Sequence, residues 1–465
     1  MARAYRVHPH HHAVYGPGGI SQTLLGQWLG LRQPQVSQIE TGPPVRDLDV
    51  LVYWARRLHI PAELLWFLLP GEERKLTVTE PADNHITATT SDGALELPTL
   101  RWALDLDEIR QSAVVLSDCT LENSRLAGAV DTPTVSTLTL RWLVAPKDGA
   151  AFCRAGWPRV GLGDVMRLRA VRRQLKALDD AHGGGTAFPM AVTYLRREVV
   201  PLLHGNYDDF TGRALFNAIA ELKLDIGWMA YDAGNCALAW RYMIQALRLS
   251  HAVDDRLFGG RVLAAMSHQA LYLRQIPLAV DLAQAARVGT KGIAPPKVQA
   301  MLAAMEACAQ AAYQQAAPCA DALADAENAL AQVRSDDNPD WLNFDQGGLS
   351  GHAARALRDL RQPREAEHHA VASLALCQDG HSRTYAQRNA ILATTQLQLG
   401  DIEAAAAIGL LIIADAWRLR SSHVHSDLAA LVRALESNDS TATKDFLEQA
   451  RELLTARSGV ATPGS

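Results

Sequence analysis

Between Leu31 and Gly42, three glutamines, Gln33, Gln35 and Gln38, point outward from a short helical stretch whose Val36 and Ile39 face inward. A helix exposed only for solubility would carry charges; this one carries amides. A carboxamide donates and accepts in one plane, so it can pair bidentately with N6 and N7 of adenine in a major groove. A second set of groups lies far downstream: Glu221, Trp228, Tyr231, Arg261, His268, Tyr272, Gln314, Arg355, Arg358 and Gln387. Aromatic and bidentate polar groups of this kind can grip an extended peptide or a flat small molecule if they converge in a groove.

Other chemistries find less support. The run His10-His11-His12 could bind a metal, but a solvated run with adventitious affinity is the plainer reading. The string His182-Gly183-Gly184-Gly185 is similar to an oxyanion loop, yet no GxSxG elbow accompanies it, and small residues ending a helix account for it. The six cysteines (Cys119, Cys153, Cys236, Cys308, Cys319 and Cys377) form no CxxC pair, so neither zinc nor a disulfide framework is expected, and no cofactor is implied. With no phosphate loop or nucleophile–base pair, an enzyme is the least favoured class.

The glutamines sit in a helix, turn, helix unit. Ser21 can cap a helix whose Leu24, Leu25, Trp28 and Leu29 share one face, and Gly30 stops it where a left-handed residue fits. Pro34 suits the first turn of the next helix, and Gly42 ends it. An ordinary helical hairpin within a larger bundle is the bland alternative. The stretches SQTLLGQWLG, QPQVSQIETG and VRDLDVLVYWARRLHIPAELLWFLLP, over residues 21–70, resemble the lambda-repressor-like (Xre-type) helix-turn-helix family. The resemblance implies that Gln33, Pro34 and Gln38 lie over bases, with Arg32, Gln35 and Ser37 beside them, while Gln22 and Arg46 touch phosphate. A first helix should precede Ser21, with Ala4, Val7, Ala13 and Val14 inward, although Pro9 and the histidines fit it badly.

Length and composition bound the rest. At 465 residues, rich in Ala and Leu and poor in β-branched runs, the chain is expected to be all-α with two or three domains. Net charge is −5, but residues 1–70 carry +2 and the remainder −7, a mildly basic head on an acidic body. The longest apolar run, Ala404 to Trp417, is too short to span a bilayer and contains Asp415. No secretory signal is seen, so a reducing, cytoplasmic setting without membrane association is expected. Residues 1–70 are expected to form the head and 71–160 a linker and connector. Within the connector, DLDEIRQSAVVLSDC suits an amphipathic helix and VSTLTLRWLV suits a short strand.

From residue 161 to 456 the pattern is helical and periodic; 457–465 make a tail. In YDAGNCALAWRYMIQAL, Gly234 is followed by Ala239, Tyr242 and Ala246, and the small Gly227 precedes the turn. The second-helix spacing recurs at Ala279, Ala322, Ala366 and Ala405, successive steps being 40, 43, 44 and 39 residues. These units resemble tetratricopeptide repeats, whose standard period is about 34. Gly occupies only two of the five turns, Gly234 and Gly400. A pair formed by Ala191–His204 and Asp208–Ala220 should cap one end, and residues 441–456 the other. Such units cannot bury their apolar faces singly; stacked, they curl into a superhelix whose first helices line a concave surface.

A helix-turn-helix head on such a body is similar to actinobacterial regulators of this build and to peptide-sensing quorum regulators. The resemblance implies a homodimeric, ligand-responsive transcriptional regulator, more readily a repressor than an activator, that binds double-stranded DNA at an inverted-repeat operator. Its effector, a peptide or small molecule, would occupy the repeat groove. The rival reading is an interaction scaffold whose head does not bind DNA.

Overall fold

The computed structural model describes residues 6, 19–42, 48–58, 102–122, 130–148, 152–334, 339–377, 380–438 and 440–458. The expected helix before Ser21, Arg46, the helix over 59–70 and the linker 71–98 lie outside them. Among the described residues every regular element is a helix, and sheet-like pairing is confined to two isolated bridges, Arg154 with Tyr207 and Arg159 with Asn206. The chain forms two compact units, one N-terminal and one C-terminal.

In the N-terminal unit, α1 (Gln22–Leu29) begins where Ser21 Oγ accepts the Leu24 N–H and ends at Gly30, whose φ is 70°. Helix α2 (Gln33–Thr41) begins where Gln35 Oε1 accepts the Arg32 N–H at 2.8 Å. With α3 (Leu48–Arg57) they enclose a small core of Ile20, Leu25, Leu29, Val36, Leu51, Trp54 and Leu58. Gly26 lets the turn close on α1: a Cβ there would stand 2.6 Å from the Leu31 carbonyl oxygen.

The C-terminal unit opens with α4 (Leu106–Leu121) and α5 (Thr132–Val144). The stretch read as a short strand is thus a helix. Its Thr and Val residues favour strand locally, but the buried residues Val135, Leu138, Thr139 and Trp142 follow helical spacing. Trp142 is fully buried where Gly259 and Gly289 leave room for its ring; a Cβ at either would lie 2.2–2.3 Å from it. Helices α4 and α5 therefore contribute to the core of the C-terminal unit.

Helix α6 (Leu162–His182) is followed by α7 (Gly184–Tyr194), a π-turn at Leu195–Val199 and α8 (Val200–Leu203). Helix α9 (Asp209–Asp232) then runs unbroken past Ala220, where the capping helix was expected to end. No proline interrupts it, and Gly212 and Gly227 are sites of close packing against Phe152 and Met243 rather than breaks.

Five antiparallel pairs follow: α9 with α10 (Cys236–Ala252), α11 (Arg256–Tyr272) with α12 (Ile276–Gly289), α13 (Pro296–Ala312) with α14 (Ala316–Ala331), α15 (Gln346–Asp359) with α16 (Pro363–Ala375), and α17 (Ser382–Leu399) with α18 (Ile402–Ala416). The crossing residues Ala239, Ala279, Ala322, Ala366 and Ala405 are all buried. A longer side chain at such a crossing would overpack the pair at a cost of about 1–3 kcal/mol. Every pair turns through a left-handed residue: Gly234, Arg274, Gln314, Arg361 and Gly400, with φ of 60–87°. Helices α19 (Ser422–Leu435) and α20 (Thr441–Ser458) pack on the last pair, α20 where a terminal cap was expected.

The array closes on itself. Helix α17 packs on α6, and the segment before α19 meets the start of α7. Arg420 N–H donates to the His182 carbonyl and its own carbonyl accepts from Gly185 N–H, both at 2.8 Å. The glycine run His182–Gly185 is thus a seam as well as a helix stop. A Cβ at Gly184 would sit 2.3 Å from the Met229 carbonyl oxygen, and at Gly185 2.8 Å from that of Arg420. No described helix is long and apolar enough to cross a membrane.

Candidate ligand-binding interior

The first helices of the pairs turn one face toward the interior, and helical spacing decides what appears there. Trp228 and Tyr231 of α9 meet His268 and Tyr272 of α11, three and four residues apart respectively on their helices. The Trp228 and His268 ring centroids are 5.1 Å apart, and those of Tyr231 and Tyr272 are 5.4 Å apart, both edge to face. From the far end of the array His423 stacks on Tyr231 at 3.8 Å and meets Tyr272 at 4.1 Å. Its Nε2–H donates to the Tyr231 carbonyl at 2.9 Å, which assigns the proton to that nitrogen. Ring closure thus builds an aromatic cluster from three separate helices.

Burial governs the titrating groups here. It raises the Tyr231 phenol and holds His268 well below the ordinary imidazole range, with Arg355 adding to the effect on His268. His352 is pushed down to about 3, first by burial and then by Arg355, Arg261 and Arg388. His423 falls to about 4 through burial, although Asp232 and the Tyr231 carbonyl pull the other way. These imidazoles are neutral at pH 7, so the positive charge of the interior comes from arginines, with Asp427 facing Arg355 and Arg358. Burial also lifts the Cys308 thiol to about 12; its Sγ lies 3.6 Å from His352 Nδ1.

The arginines divide into two kinds. At the seam, Arg383 stands 3.0 Å from both Asp179 and Asp180 and 3.9 Å from Asp232. Asp232 also accepts Gly184 N–H and the Ser421 hydroxyl, each at 2.7 Å. Arg172 binds Glu221 and Asp225, both at 2.7 Å, tying α6 to α9. By contrast, Arg355 is half-buried and makes no hydrogen bond or ion pair with any described residue, and Arg261 reaches only the Met301 sulfur, at 3.6 Å. Arg388 donates to the Ser373 carbonyl at 2.5 Å. Arg261 and Arg388 line a cavity of about 390 Å³ beside the seam, walled by Trp341. A larger cavity of about 680 Å³ lies between α12, α13 and α14. Its Arg287 already bonds Glu306 and Asp325 at 2.6 Å each, which leaves it the exposed Lys291, whereas the smaller cavity has two half-buried guanidinium groups outside any ion pair.

Of the interior residues expected from the sequence, Trp228, Tyr231, His268 and Tyr272 come together in the aromatic cluster, while Arg261 and Arg355 both face His352. Glu221 is buried and its carboxylate is occupied by Arg169 and Arg172. Gln314 is outside the cluster: it forms the left-handed turn after α13 and donates to the Ala311 and Asp359 carbonyls. Arg358 pairs with its neighbour Asp359 and donates to Thr394 Oγ1, while Gln387 is half-buried without a hydrogen bond to the described residues. His352, Arg388 and His423 were missed. The first lies one helical turn before Arg355 and the second next to Gln387, so a finer register would have found both; His423 arrives only through closure.

On the N-terminal unit, Arg32, Gln33, Pro34, Gln35 and Gln38 are exposed, Ser37 is half-buried and Val36 is buried. Gln22 Nε2 donates to Glu40 at 2.8 Å and its Oε1 accepts from Gln33 Nε2 at 2.7 Å; Glu40 in turn binds Arg6 at 2.8 Å. Gln35 is spent in part on capping its own helix. Among the described residues no group of three or more His, Cys, Asp or Glu side chains is placed to hold a metal ion. No protein-family model and no curated protein matches the chain. What stands without further inference is an all-helical protein built from stacked helix pairs.

Proposed function

We propose that this protein is a sequence-specific DNA-binding transcriptional regulator whose effector occupies the interior of the helix-pair array. The observation that carries the reading is the outer face of α2, where Gln33, Pro34 and Gln38 are exposed beside a buried Val36. Gln33 is held by Gln22, which is itself held by Glu40, so its amide is oriented in advance of any contact. An oriented carboxamide at the start of a short surface helix suits base reading in a major groove. One small head covers little DNA, so a homodimer reading an inverted repeat, with half-sites about 34 Å apart or a multiple of that, follows. The effector acts by binding one shape of the array better than another.

Selection of bound fragments from sheared genomic DNA at near-physiological salt tests the reading. A shared inverted repeat is expected among them. Replacing Gln33 and Gln38 by Ala should lower affinity for that repeat by roughly 5- to 150-fold per lost bidentate contact while leaving nonspecific binding in place. Selective binding that survives both changes would overturn the assignment of α2, and absence of any enrichment would favour a scaffold for protein partners.

A further inference from the structure

We infer that the cavity beside the seam binds a small organic anion, a phosphate ester or a carboxylic acid, whose anionic group is held by the guanidinium groups of Arg261 and Arg388. This names the effector class of the regulator proposed above and rests on that reading for its regulatory consequence; the binding itself does not.

The first argument is the balance of charge. The cavity wall includes Asp180 and Asp225, but Asp180 is bound to Lys176 at 2.7 Å and to Arg383 at 3.0 Å, and Asp225 to Arg172 at 2.7 Å. Asp345 caps α15, accepting the Gly348 N–H at 2.8 Å, and Asp340 is exposed. No described carboxylate forms an ion pair with Arg261, which is half-buried on α11 and feels Asp225 only at longer range. Arg355 and Arg388, from α15 and α17, converge with it around the neutral His352. Of these, Arg261 and Arg388 line the cavity; neither forms an ion pair among the described residues, Arg388 holding the Ser373 carbonyl and Arg261 feeling Asp225 only at longer range, while Arg355, outside the lining, feels Asp427 in the same way. A bound anion supplies what is missing.

Shape and chemistry agree. A guanidinium presents parallel N–H groups that match carboxylate or phosphate oxygens two at a time, which a lysine cannot do. A volume of about 390 Å³ holds a small organic acid or phosphate ester rather than a folded peptide. Trp341, half-buried and edge to face with Phe258 at 5.5 Å, gives the cavity one aromatic wall for the organic part of the ligand. The site draws on α6, α11, α15 and α17, so an occupant would brace the closed form of the array.

The test is thermal melting and calorimetric titration of the full chain with pyrophosphate and with citrate, ionic strength held constant with KCl. At least one anion should raise the melting temperature and titrate saturably. Response to pyrophosphate alone assigns a phosphate ester, to citrate alone a carboxylic acid, and to both a shared anion site. Arg261→Met and Arg388→Met should each weaken binding at least tenfold, and Arg261→Met should melt no lower than the wild type without anion, because it removes a repelled charge. Should Arg261→Met melt lower, Arg261→Lys decides: it keeps the charge and loses the fork, so binding should still weaken severalfold. No response to either anion, or a response unchanged in these variants, overturns the inference. None of these readings involves DNA, so failure here is distinguishable from failure of the DNA-binding proposal.

Discussion

Arg383 and Arg355 extend from adjacent first helices into the same interior and end in opposite circumstances. Arg383 faces Asp179, Asp180 and Asp232, of which Asp179 and Asp232 are almost wholly buried. Arg355 meets no described carboxylate within ion-pair distance. The residue type is the same, but one side chain is committed to closing the array and the other is left for something else. Desolvation makes the difference matter: a buried charge with partners holds elements together, and one without partners is a standing cost that a ligand can relieve.

The largest expected effect falls on the committed side. Arg383→Met leaves three clustered carboxylates without their main cation, and breaking a buried pair in this way costs about 3–5 kcal/mol. Urea unfolding followed by tryptophan fluorescence should show the loss, with the seam between α6 and α17 opening first in hydrogen exchange. A change below about 1 kcal/mol, the range of an exposed ion pair, would erase the contrast between the two arginines.

How much of this was legible in the sequence depends on how local each feature is. The crossing alanines from Ala239 to Ala405 announced the five pairs because a close crossing requires a small residue at one position of each second helix. The turns were only partly legible: Gly234 and Gly400 marked two, but Arg274, Gln314 and Arg361 adopt the same left-handed conformation with no glycine to advertise it. In α5 the β-branched residues pointed to strand, and tertiary burial of Trp142 overrode them. Trp228, Tyr231, His268 and Tyr272 were found because they follow the first-helix face. The seam was not, because contact between residues 420–423 and residues 182–232 depends on the curvature of the whole array, which no local period encodes.

His423 lies between the two regimes, stacked on Tyr231 and within the fields of Asp232, Arg383 and Arg355. It remains neutral in the folded chain until about pH 4, whereas an unfolded histidine titrates near 6.5. Unfolding therefore takes up a proton between those values, and its contribution is complete above 6.5 and lost as pH falls toward 4. Burial raises Asp179 to about 6, and this works in the opposite sense, its contribution being lost as pH rises from about 4 to 6. The wild-type curve mixes these with other buried groups, His268 and His352 among them, but the difference from His423→Gln isolates the His423 contribution. The variant should lose up to one proton of slope, at most about 1.4 kcal/mol per pH unit, between pH 4 and 6.5. Parallel curves would mean that His423 is charged or exposed in the folded chain and that the closed seam does not bury it.

The smallest effect is expected at Arg355, and its sign carries the information. Because the side chain has no hydrogen bond or ion pair to lose, Arg355→Met removes packing by its stem, repulsion from Arg261 and Arg388, and a longer-range attraction to Asp427 that opposes that repulsion. Methionine restores most of the stem, so unfolding free energy should stay within about 1 kcal/mol of the wild type or rise slightly. The imidazoles respond as well: His268, His352 and His423 all feel Arg355, so their titrations, followed by NMR, should move upward when it is removed. A large loss of stability without that movement would place Arg355 among the structural arginines with Arg383. Unchanged stability with shifted imidazoles would leave it as a charge held in the interior without an ion-pair partner, which is the condition an anionic ligand requires.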